Sequence, residues 1–260
     1  MGTPQDTAQD AAKDSAKDAA QDAPHDAPHD AAHDAAQVYR VNAKDVLSDI
    51  KESLDYLQTD CLEIYWLHRD NLKIPVDEIL GFLNEYKEMG LIKYFGGSNW
   101  TVDRFQQANT YANSNAMTPL FGLQNLWSLA RPNYPLVDET MVACEHGDIE
   151  FLQNTRTNLF AYSSLAFGFF CKLAERGYDD LDVNLQTHYY NEENMQMLEK
   201  VKAMAVAYNC SINNIALAYL LSQDFTCIPV IGCSNLEQLE SNIQAVDIKL
   251  TPKDIQSLGL

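Results

Sequence analysis

The sequence predicts an α/β domain with about five parallel strands, preceded by an N-terminal segment that adds nothing to the core. Residues 1–37 hold a short polar repeat, and the composition changes abruptly after Gln37. From there to Leu260, short apolar runs alternate with longer segments of helical character. This alternation is typical of βα units, whose strands lie parallel in one sheet. We therefore divide the chain into a repeat segment, 1–37, and a folded domain, 38–260.

The repeat segment carries Asp at every fourth position and, after its first residue, no large apolar side chain. Pro24 and Pro28 interrupt any helix, so we expect this segment to be disordered. His25, His29 and His33 recur with the same period, which raises the question of a metal site. We interpret them as a product of the repeat, because no rigid scaffold would hold the ligand geometry.

Capping and turn residues mark the elements in the first half of the domain. Asn42 and Thr101 predict helix starts, because their side-chain oxygens can accept from the free N–H groups of a first turn. Pro75 favours a first helical turn, and Gly90 favours a helix end. The predicted helices are 42–57, 75–90 and 101–114, and the predicted strands are LEIYWL (62–67), IKYFGG (92–97) and LFGLQ (120–124).

The second half continues the same alternation. Thr251 and Pro252 stand at the cap and first position of a closing helix. The predicted strands are LFAYS (159–163) and CIPVI (227–231), and the predicted helices are 145–154, 191–208, 211–222, 234–246 and 251–258. Five strands result in total.

Composition argues against several classes of partner. The formal net charge is −19, of which −6 belongs to residues 1–37 and −13 to the rest. Nucleic-acid binding needs clustered Lys and Arg, so we predict no nucleic-acid partner. We also predict no membrane association, since an acidic surface is repelled by anionic lipid and no apolar run is long enough to span. Six scattered cysteines and the lack of a secretory signal after Met1 predict reduced thiols in a cytoplasmic protein.

Polar residues stand at the end of every predicted strand. No Walker loop, GxGxxG, HExxH or GxSxG motif is present in the sequence. The strand-end residues are His68, Ser98 with Asn99, Gln124, Ser163, and Gly232 with Cys233 and Ser234. In a βα barrel the loops after the strands form the active face, so five such positions in succession predict a ligand site.

Several segments carry a family resemblance. The chain contains, in order, YLQTDCLEIYWLHRDN, PVDEIL, MGLIKYFGGSNWT, FGLQNLWSLARP, FAYSSLAFGFF and IPVIGCSNLEQLESNI. Over residues 44–258 it resembles the aldo-keto reductases, and most closely their aryl-alcohol-dehydrogenase-like branch. The resemblance implies a (β/α)₈ TIM-type barrel and an NAD(P)(H)-dependent oxidoreductase. Its small-molecule substrates would be aldehydes, ketones or the corresponding alcohols.

The resemblance also implies roles for individual residues. His68 matches the active-site histidine that hydrogen-bonds the substrate carbonyl, and Tyr162 matches the ring that stacks on the nicotinamide. The other matches are Ser98, Asn99 and Gln124 for the nicotinamide carboxamide, Ser163 and Leu165 for the pyrophosphate, and Gly232, Cys233, Ser234, Gln238 and Asn242 for the adenosine end. The alternative for His68 is a satisfied histidine at a strand end, and for Tyr162 it is core packing. No metal ligand is implied.

Two departures from the family pattern affect chemistry. The family's proton-donating Tyr, the Lys that lowers its pKa and the Asp that pairs with that Lys lie upstream of the histidine, and their motifs are absent here. Without that acid, hydride transfer would leave an unprotonated alkoxide and lose several orders of magnitude in rate. In addition, no Lys or Arg lies between Phe225 and Ile248, and Gln238 stands where an Arg is often found. The cofactor therefore stays open between NADP and NAD.

The number of strands predicts an incomplete barrel. Five parallel strands cannot close an eight-strand barrel, so we expect the first strands to be missing. The runs LEIYWL and CIPVI would then be exposed apolar edges, which promote association. We expect the isolated chain to be marginally stable, to self-associate, or to need a protein partner that completes the barrel.

Three functions remain open at this point. The first is an NAD(P)(H)-dependent oxidoreductase, weak or inactive as an isolated chain. The second is a catalytically incomplete remnant or binding subunit that lacks the family's Asp, Tyr and Lys. The third is an interaction protein in which the acidic repeat is the working part.

Overall fold

The computed structural model describes residues 40–136 and 138–259. The repeat segment, with its predicted disorder and its three histidines, lies outside the described residues. Within them, five strands form one sheet in which every neighbouring pair is parallel and the spatial order is the chain order. The strands are β1 (Leu62–Leu67), β2 (Ile92–Ser98), β3 (Gly122–Leu126), β4 (Asn158–Tyr162) and β5 (Cys227–Pro229). The predicted α/β fold with five parallel strands is confirmed.

The described part of the chain has ten α-helices: the first precedes β1, and the others connect or follow the strands. They are α1 (Ala43–Leu57), α2 (Val76–Glu88), α3 (Val102–Ser114), α4 (His146–Thr155), α5 (Phe169–Arg176), α6 (Val183–Tyr189), α7 (Glu192–Ala207), α8 (Ile212–Leu221), α9 (Leu236–Ile243) and α10 (Pro252–Ser257). Two 3₁₀ turns, Ala166–Gly168 and Gln244–Asp247, complete the regular structure.

Three predicted caps are found at the starts of α1, α3 and α10. The Asn42 side chain accepts from the Asp45 N–H at 3.0 Å, and the Thr101 hydroxyl accepts from the Arg104 N–H at 3.2 Å. Thr251 forms a capping box at the start of α10. Pro75 differs slightly from its predicted place, because it is the cap residue of α2 rather than its first helical residue.

Several predicted bounds are wrong. β3 begins at Gly122, two residues later than predicted, and β5 ends at Pro229, which has no N–H to continue a ladder. α9 is shorter than predicted because its cap is Asn235. The short helices α5 and α6 were not predicted; α5 begins after Gly168, whose φ of 78° is left-handed and interrupts the helical pattern.

The two faces of the sheet differ in burial. Residues paired across parallel strands point to the same face, and the set Leu67, Phe95, Leu123, Leu159 and Cys227 is buried in the core. On the opposite side, Tyr94 and Ile228 keep 47% and 39% of their surface exposed. We call this second side the open face.

Two glycines shape the open face. The rings of Trp66 on β1 and Phe160 on β4 lie 4.8 Å apart, although two strands separate their backbones. This contact is possible because Gly96 and the neighbouring Gly122 present no side chain: a Cβ on Gly96 would lie 2.6 Å from Trp66 Cε3 and 2.8 Å from the Gly122 carbonyl oxygen. The sheet therefore curls around an aromatic layer on this face, as a barrel wall does.

Among the described residues, no single helix combines the length and apolar character needed to cross a membrane. α7 and α8 reach that threshold only when taken as a pair, and the two are bent by 95° at the break between them.

Candidate active site

The carboxyl ends of β1 to β4 present predicted site residues on the open face. Ser98 pairs in register with Gln124, and Gln124 pairs with Phe160, so these side chains share one side of the sheet. Tyr162 stands two residues after Phe160 on that same side. His68 follows β1 directly, two residues after Trp66. The curled sheet thus gathers these four side chains above the aromatic layer.

The Asn99 side chain forms hydrogen bonds with several residues of this group. Its backbone is left-handed, with φ of 58°, which turns the chain sharply at the end of β2. Its side-chain Nδ2 donates to the His68 carbonyl oxygen at 3.1 Å and to Ser98 Oγ at 3.3 Å. Its Oδ1 accepts from the Tyr162 hydroxyl at 2.6 Å and from the Val142 N–H at 3.0 Å. All four hydrogen-bonding positions of this amide are therefore occupied by the protein.

The other amide of the group is used differently. Ser98 Oγ donates to the backbone oxygen of Gln124 at 2.8 Å. The serine therefore binds the β3 backbone and leaves the Gln124 side chain uncontacted by this hydrogen bond. The Gln124 side chain is partly exposed, and its amide makes no hydrogen bond with the part of the chain that the structure describes. Gln124 therefore offers a donor and an acceptor to a ligand on the open face.

The His68 imidazole is exposed and remains neutral at pH 7. Partial burial lowers the pKa of His68, and the neighbouring Arg69 cation lowers it further against the opposing charge of Asp138. A neutral imidazole carries one N–H donor and one acceptor nitrogen. It can therefore donate a hydrogen bond to a carbonyl oxygen at this position.

Tyr162 keeps its proton. Burial raises the pKa of its phenol well above the ordinary value, and the neighbouring Arg69 only partly offsets this. Of the tyrosines upstream of His68 in the described chain, Tyr65 pairs in register with Phe95 and so faces the covered side, and Tyr56 lies 78% exposed near the end of α1. Neither shares the open face with His68.

The residues matched to the other end of the cofactor form a second group. Ser163 turns the chain after β4 with a left-handed φ of 52°, and Leu165 follows it partly buried. The remaining predicted residues lie in the loop after β5 and in α9: Gly232, Cys233, Ser234, Gln238 and Asn242.

Local hydrogen bonds organise this second group. The Ser234 N–H donates to Gln238 Oε1 at 2.8 Å, and Asn242 Nδ2 donates to Cys233 Sγ at 3.5 Å. Ser164 connects the turn after β4 to the residue after β5, because its hydroxyl lies 2.7 Å from the Ala161 oxygen and 2.9 Å from the Val230 oxygen. Sequence reasoning missed Ser164, although its place beside Ser163 was a signal.

Asn125 and a further segment were also missed. Asn125 Oδ1 accepts from the Asn99 N–H at 3.0 Å, and its Nδ2 donates to the Trp100 oxygen at 2.8 Å, so it holds the turn at the end of β2. A buried Asn inside an apolar strand was the available signal. Residues 138–142, which we call the rim segment, lie beside the end of β3, where Leu126 N–H donates to the Val142 oxygen at 3.0 Å.

A half-open pocket lies elsewhere in the described part of the chain. It measures about 750 Å³, opens beside the end of β3, and none of the predicted site residues line it. Its lining includes Trp127, Arg131, Tyr134, Glu145, Glu193 and Tyr219. Among the described residues, no group of three or more His, Cys, Asp or Glu side chains comes together to hold a metal ion.

The parallel sheet, its curl and the polar strand ends on one face define an α/β protein of the TIM-barrel type. The family model described as Aldo/keto reductase family matches residues 32–259. The chain belongs to this family, as the sequence resemblance predicted.

Two known proteins illustrate the relationship. An aldo-keto reductase of Schizosaccharomyces pombe, yakc, whose name includes NADP(+), is 27% identical over 218 residues, which are 79% of this chain and 58% of that protein. The crystal structure of a thermostable aldo-keto reductase in complex with the inhibitor epalrestat superimposes with a TM-score of 0.62. It is 24% identical, and the match covers 84% of this chain and 66% of that chain, so it bears on the fold. The chain spans less than two thirds of the length of either protein.

Proposed function

We propose that this chain carries the nicotinamide-facing part of an NAD(P)(H)-dependent oxidoreductase that interconverts a carbonyl compound and an alcohol. The observation that carries the proposal is the shared face of His68, Ser98, Gln124 and Tyr162. Asn99 holds the Ser98 and Tyr162 side chains and the backbone oxygens of His68 and Gln124. An amide donor and acceptor, an aromatic ring and a neutral imidazole on one surface fit a carboxamide, a flat ring and a carbonyl oxygen. Family membership supports the same activity.

Each residue would have its own role in binding or catalysis. His68 would donate to the substrate carbonyl, and the Tyr162 ring would stack on the nicotinamide. Gln124 would hold the carboxamide, since the side chains of Asn99 and Ser98 already form hydrogen bonds within the protein. When bound, the cofactor supplies or accepts the hydride. Further contacts would come from Ser163, Leu165, Gly232, Cys233, Ser234, Gln238 and Asn242.

The choice between NADP and NAD rests on two opposed indications. A relative carries NADP(+) in its name. The stretch 225–248, however, has no Lys or Arg for a 2′-phosphate, and the Gln238 side chain accepts from Ser234 instead. We propose a nicotinamide dinucleotide and treat both forms as candidates.

Turnover by the isolated chain should be slow. Among the described tyrosines, Tyr162 reaches the group around Asn99, and its hydroxyl donates to Asn99 Oδ1. Burial also raises its pKa, so it is a poor acid for an alkoxide. His68 alone would polarise the carbonyl, but no acid among the described tyrosines would then protonate the alkoxide.

Gln124 provides the direct test of the site. NAD⁺ and NADP⁺ binding to the full chain should be measured by calorimetry, together with oxidation of NADH and NADPH in the presence of an aromatic aldehyde. We expect Gln124→Ala to weaken dinucleotide binding by roughly tenfold, because two neutral hydrogen bonds of about 0.5–1.5 kcal/mol each are lost. Gln106→Ala, on the exposed side of α3, is the matched control. No measurable dinucleotide binding by the wild-type chain would refute the proposal, and fast turnover abolished by His68→Ala would refute the predicted weakness.

A specific observation favours a second candidate, a binding subunit that needs a protein partner or self-associates. In the described sheet β1 and β5 are edge strands and are not paired with each other. Leu236, Leu239, Ile243 and Val246 form an apolar stripe on and just after α9, with 37–67% of each side chain exposed. Exposed edges and stripes of this kind promote association. Size-exclusion chromatography and thermal melting test this reading, which a sharp monomer with a cooperative transition would contradict.

The setting of the protein is also part of the proposal. All six cysteines are free thiols, which fits a reducing compartment, and we propose a cytoplasmic location. The acidic net charge of −19 supports a small-molecule substrate in place of nucleic acid or membrane lipid.

A further inference from the structure

Arg69 spans from the loop after β1 to the rim segment, residues 138–142. Its Nη1 donates to the His68 carbonyl oxygen at 2.9 Å. Its Nε donates to Thr140 Oγ1 at 2.7 Å, and its Nη2 donates to Asp138 Oδ2 at 3.1 Å. The Arg69 and Asp138 side chains are only 22% and 20% exposed. One guanidinium therefore holds three acceptors on two separate parts of the chain.

Asn99 closes this arrangement into a ring. The same His68 carbonyl oxygen also accepts from Asn99 Nδ2 at 3.1 Å. Asn99 Oδ1 in turn accepts from the N–H of Val142, at the other end of the rim segment. Both ends of the rim segment are thus fixed to one carbonyl oxygen, at one end through Arg69 and at the other through Asn99.

Asp138 keeps its charge in this ring. Burial alone would raise its pKa, but hydrogen bonds from the Thr140 hydroxyl and N–H, together with the Arg69 cation, hold the pKa of Asp138 at about 2. The carboxylate is therefore ionised throughout the neutral range. Thr140 donates to its Oδ1 from the hydroxyl at 2.6 Å and from the backbone N–H at 2.8 Å.

We propose that Arg69 is a positioning residue, which fixes the His68 loop and the rim segment as one unit at the mouth of the nicotinamide site. The unit itself is inferred from these hydrogen bonds alone. Its effect on a nicotinamide site rests on the function proposed above. A planar guanidinium can serve three acceptors in different directions, whereas a lysine ammonium is a point charge on a flexible stem. Arg69→Lys should therefore keep the charge and lose the unit.

The His68 imidazole reports on the two charges of this ring, and the rim-segment amides report on the unit itself. The charged groups that act on it are Arg69, which lowers its pKa, and Asp138, which raises it. Removal of each charge should therefore shift the His68 titration in opposite directions: upward in Arg69→Gln and downward in Asp138→Asn. Arg69→Lys should leave the titration closer to wild type than Arg69→Gln does.

The test uses NMR on the full chain without cofactor. His68 is assigned by the signal lost in His68→Gln, and its titration is followed in each variant. Exchange of the Thr140 and Val142 amide hydrogens reports on the rim segment. We expect both amides to exchange roughly tenfold faster in Arg69→Lys and Arg69→Gln, because loss of charge-assisted hydrogen bonds lets the segment open locally. Arg156→Gln, which removes an exposed arginine on the loop after α4, is the control for charge.

The NMR measurements distinguish support for the positioning role from its refutation. Opposite shifts of the His68 titration together with faster exchange of both amides would support the proposal. Unchanged exchange in both Arg69 variants, or shifts of the same sign in Arg69→Gln and Asp138→Asn, would overturn it. If Arg69→Gln fails to fold, the Arg69→Lys and Asp138→Asn measurements decide alone. None of these readouts needs a bound dinucleotide, so a failure of the proposed function would appear separately, in the calorimetry of the wild-type chain.

Discussion

Removal of the Arg104 guanidinium should be among the costly single changes in this domain. Arg104 on α3 and Asp70 after β1 form an ion pair whose side chains are each only 10% exposed. Arg104 Nε donates to Asp70 Oδ2 at 3.0 Å, and Nη2 donates to the Ile74 oxygen at 2.6 Å. The guanidinium also lies 5.4 Å from the centre of the Trp100 ring. The pair therefore connects the loop that follows His68 to the helix that follows β2.

The size of the effect follows from these contacts. Arg104→Met keeps most of the apolar stem and removes three hydrogen bonds: an exposed one to Gln107, and the two partly buried, charge-assisted ones to Asp70 and Ile74, worth about 1.5–3 kcal/mol each. It also leaves the Asp70 carboxylate buried, and its Oδ1 has no hydrogen-bond partner in the described structure even with Arg104 present. Breaking a buried pair in this way costs about 3–5 kcal/mol. Against a total stability of about 5–15 kcal/mol for a typical domain, the variant should be close to unfolding.

The loss should depend on pH with a definite sign. Burial raises the pKa of Asp70, and Arg104 opposes this. Without Arg104 the folded-state pKa of Asp70 should rise further above its unfolded value. The deficit should therefore be full above the folded-state pKa and should shrink as the pH falls through it, because the neutral acid tolerates burial.

Urea denaturation at pH 7 and at pH 5 measures both effects. The control is Lys202→Met, which breaks the exposed pair with Glu199 on α7 and should cause no resolvable change. A loss below about 1 kcal/mol at pH 7 would mean that the pair adds no more than an exposed one. A deficit that grows toward pH 5 would show that Asp70 is not the buried carboxylate assumed here.

Two further changes test the packing and capping arguments. Gly96→Ala should lower the free energy of unfolding by about 1–3 kcal/mol, because the new Cβ would press on the Trp66 ring and the Gly122 oxygen. Gly81→Ala, with nothing within 4 Å on an exposed turn of α2, should instead add about 0.5–1 kcal/mol, so equal effects at the two sites would contradict the overpacking argument. Thr251→Ala should cost about 1 kcal/mol by removing the cap of α10, whereas Thr251→Ser should restore it in the same urea experiment.

Much of the fold could be predicted because its signals are local. A cap residue acts on an N–H group three positions away, so Asn42 and Thr101 marked their helices correctly. Strand order was also accessible, since alternating strands and helices place successive strands side by side. The family motif then predicted which strand ends carry the site.

What failed depends on contacts between distant parts of the chain. The start of β3 at Gly122 is set by pairing with Asn158, which lies 36 residues later. The rim segment is fixed by Arg69 and Asn99, which precede it by about 70 and 40 residues. No periodicity or turn signal in the sequence reports such pairings, because they depend on the assembled sheet.

Asn99 shows how the type of a site residue can be predictable while its use is not. The motif identifies an amide at the end of β2, and an amide suits a carboxamide. In the structure, however, Oδ1 accepts from Tyr162 and Val142, and Nδ2 donates to His68 and Ser98. A carboxamide could bind Asn99 only by displacing one of these groups, and a buried donor left without an acceptor would cost about 1–3 kcal/mol. We therefore expect Gln124 to bind the carboxamide, because its side-chain amide makes no hydrogen bond in the described chain that would have to be broken. Asn99 would instead keep the four strand ends together.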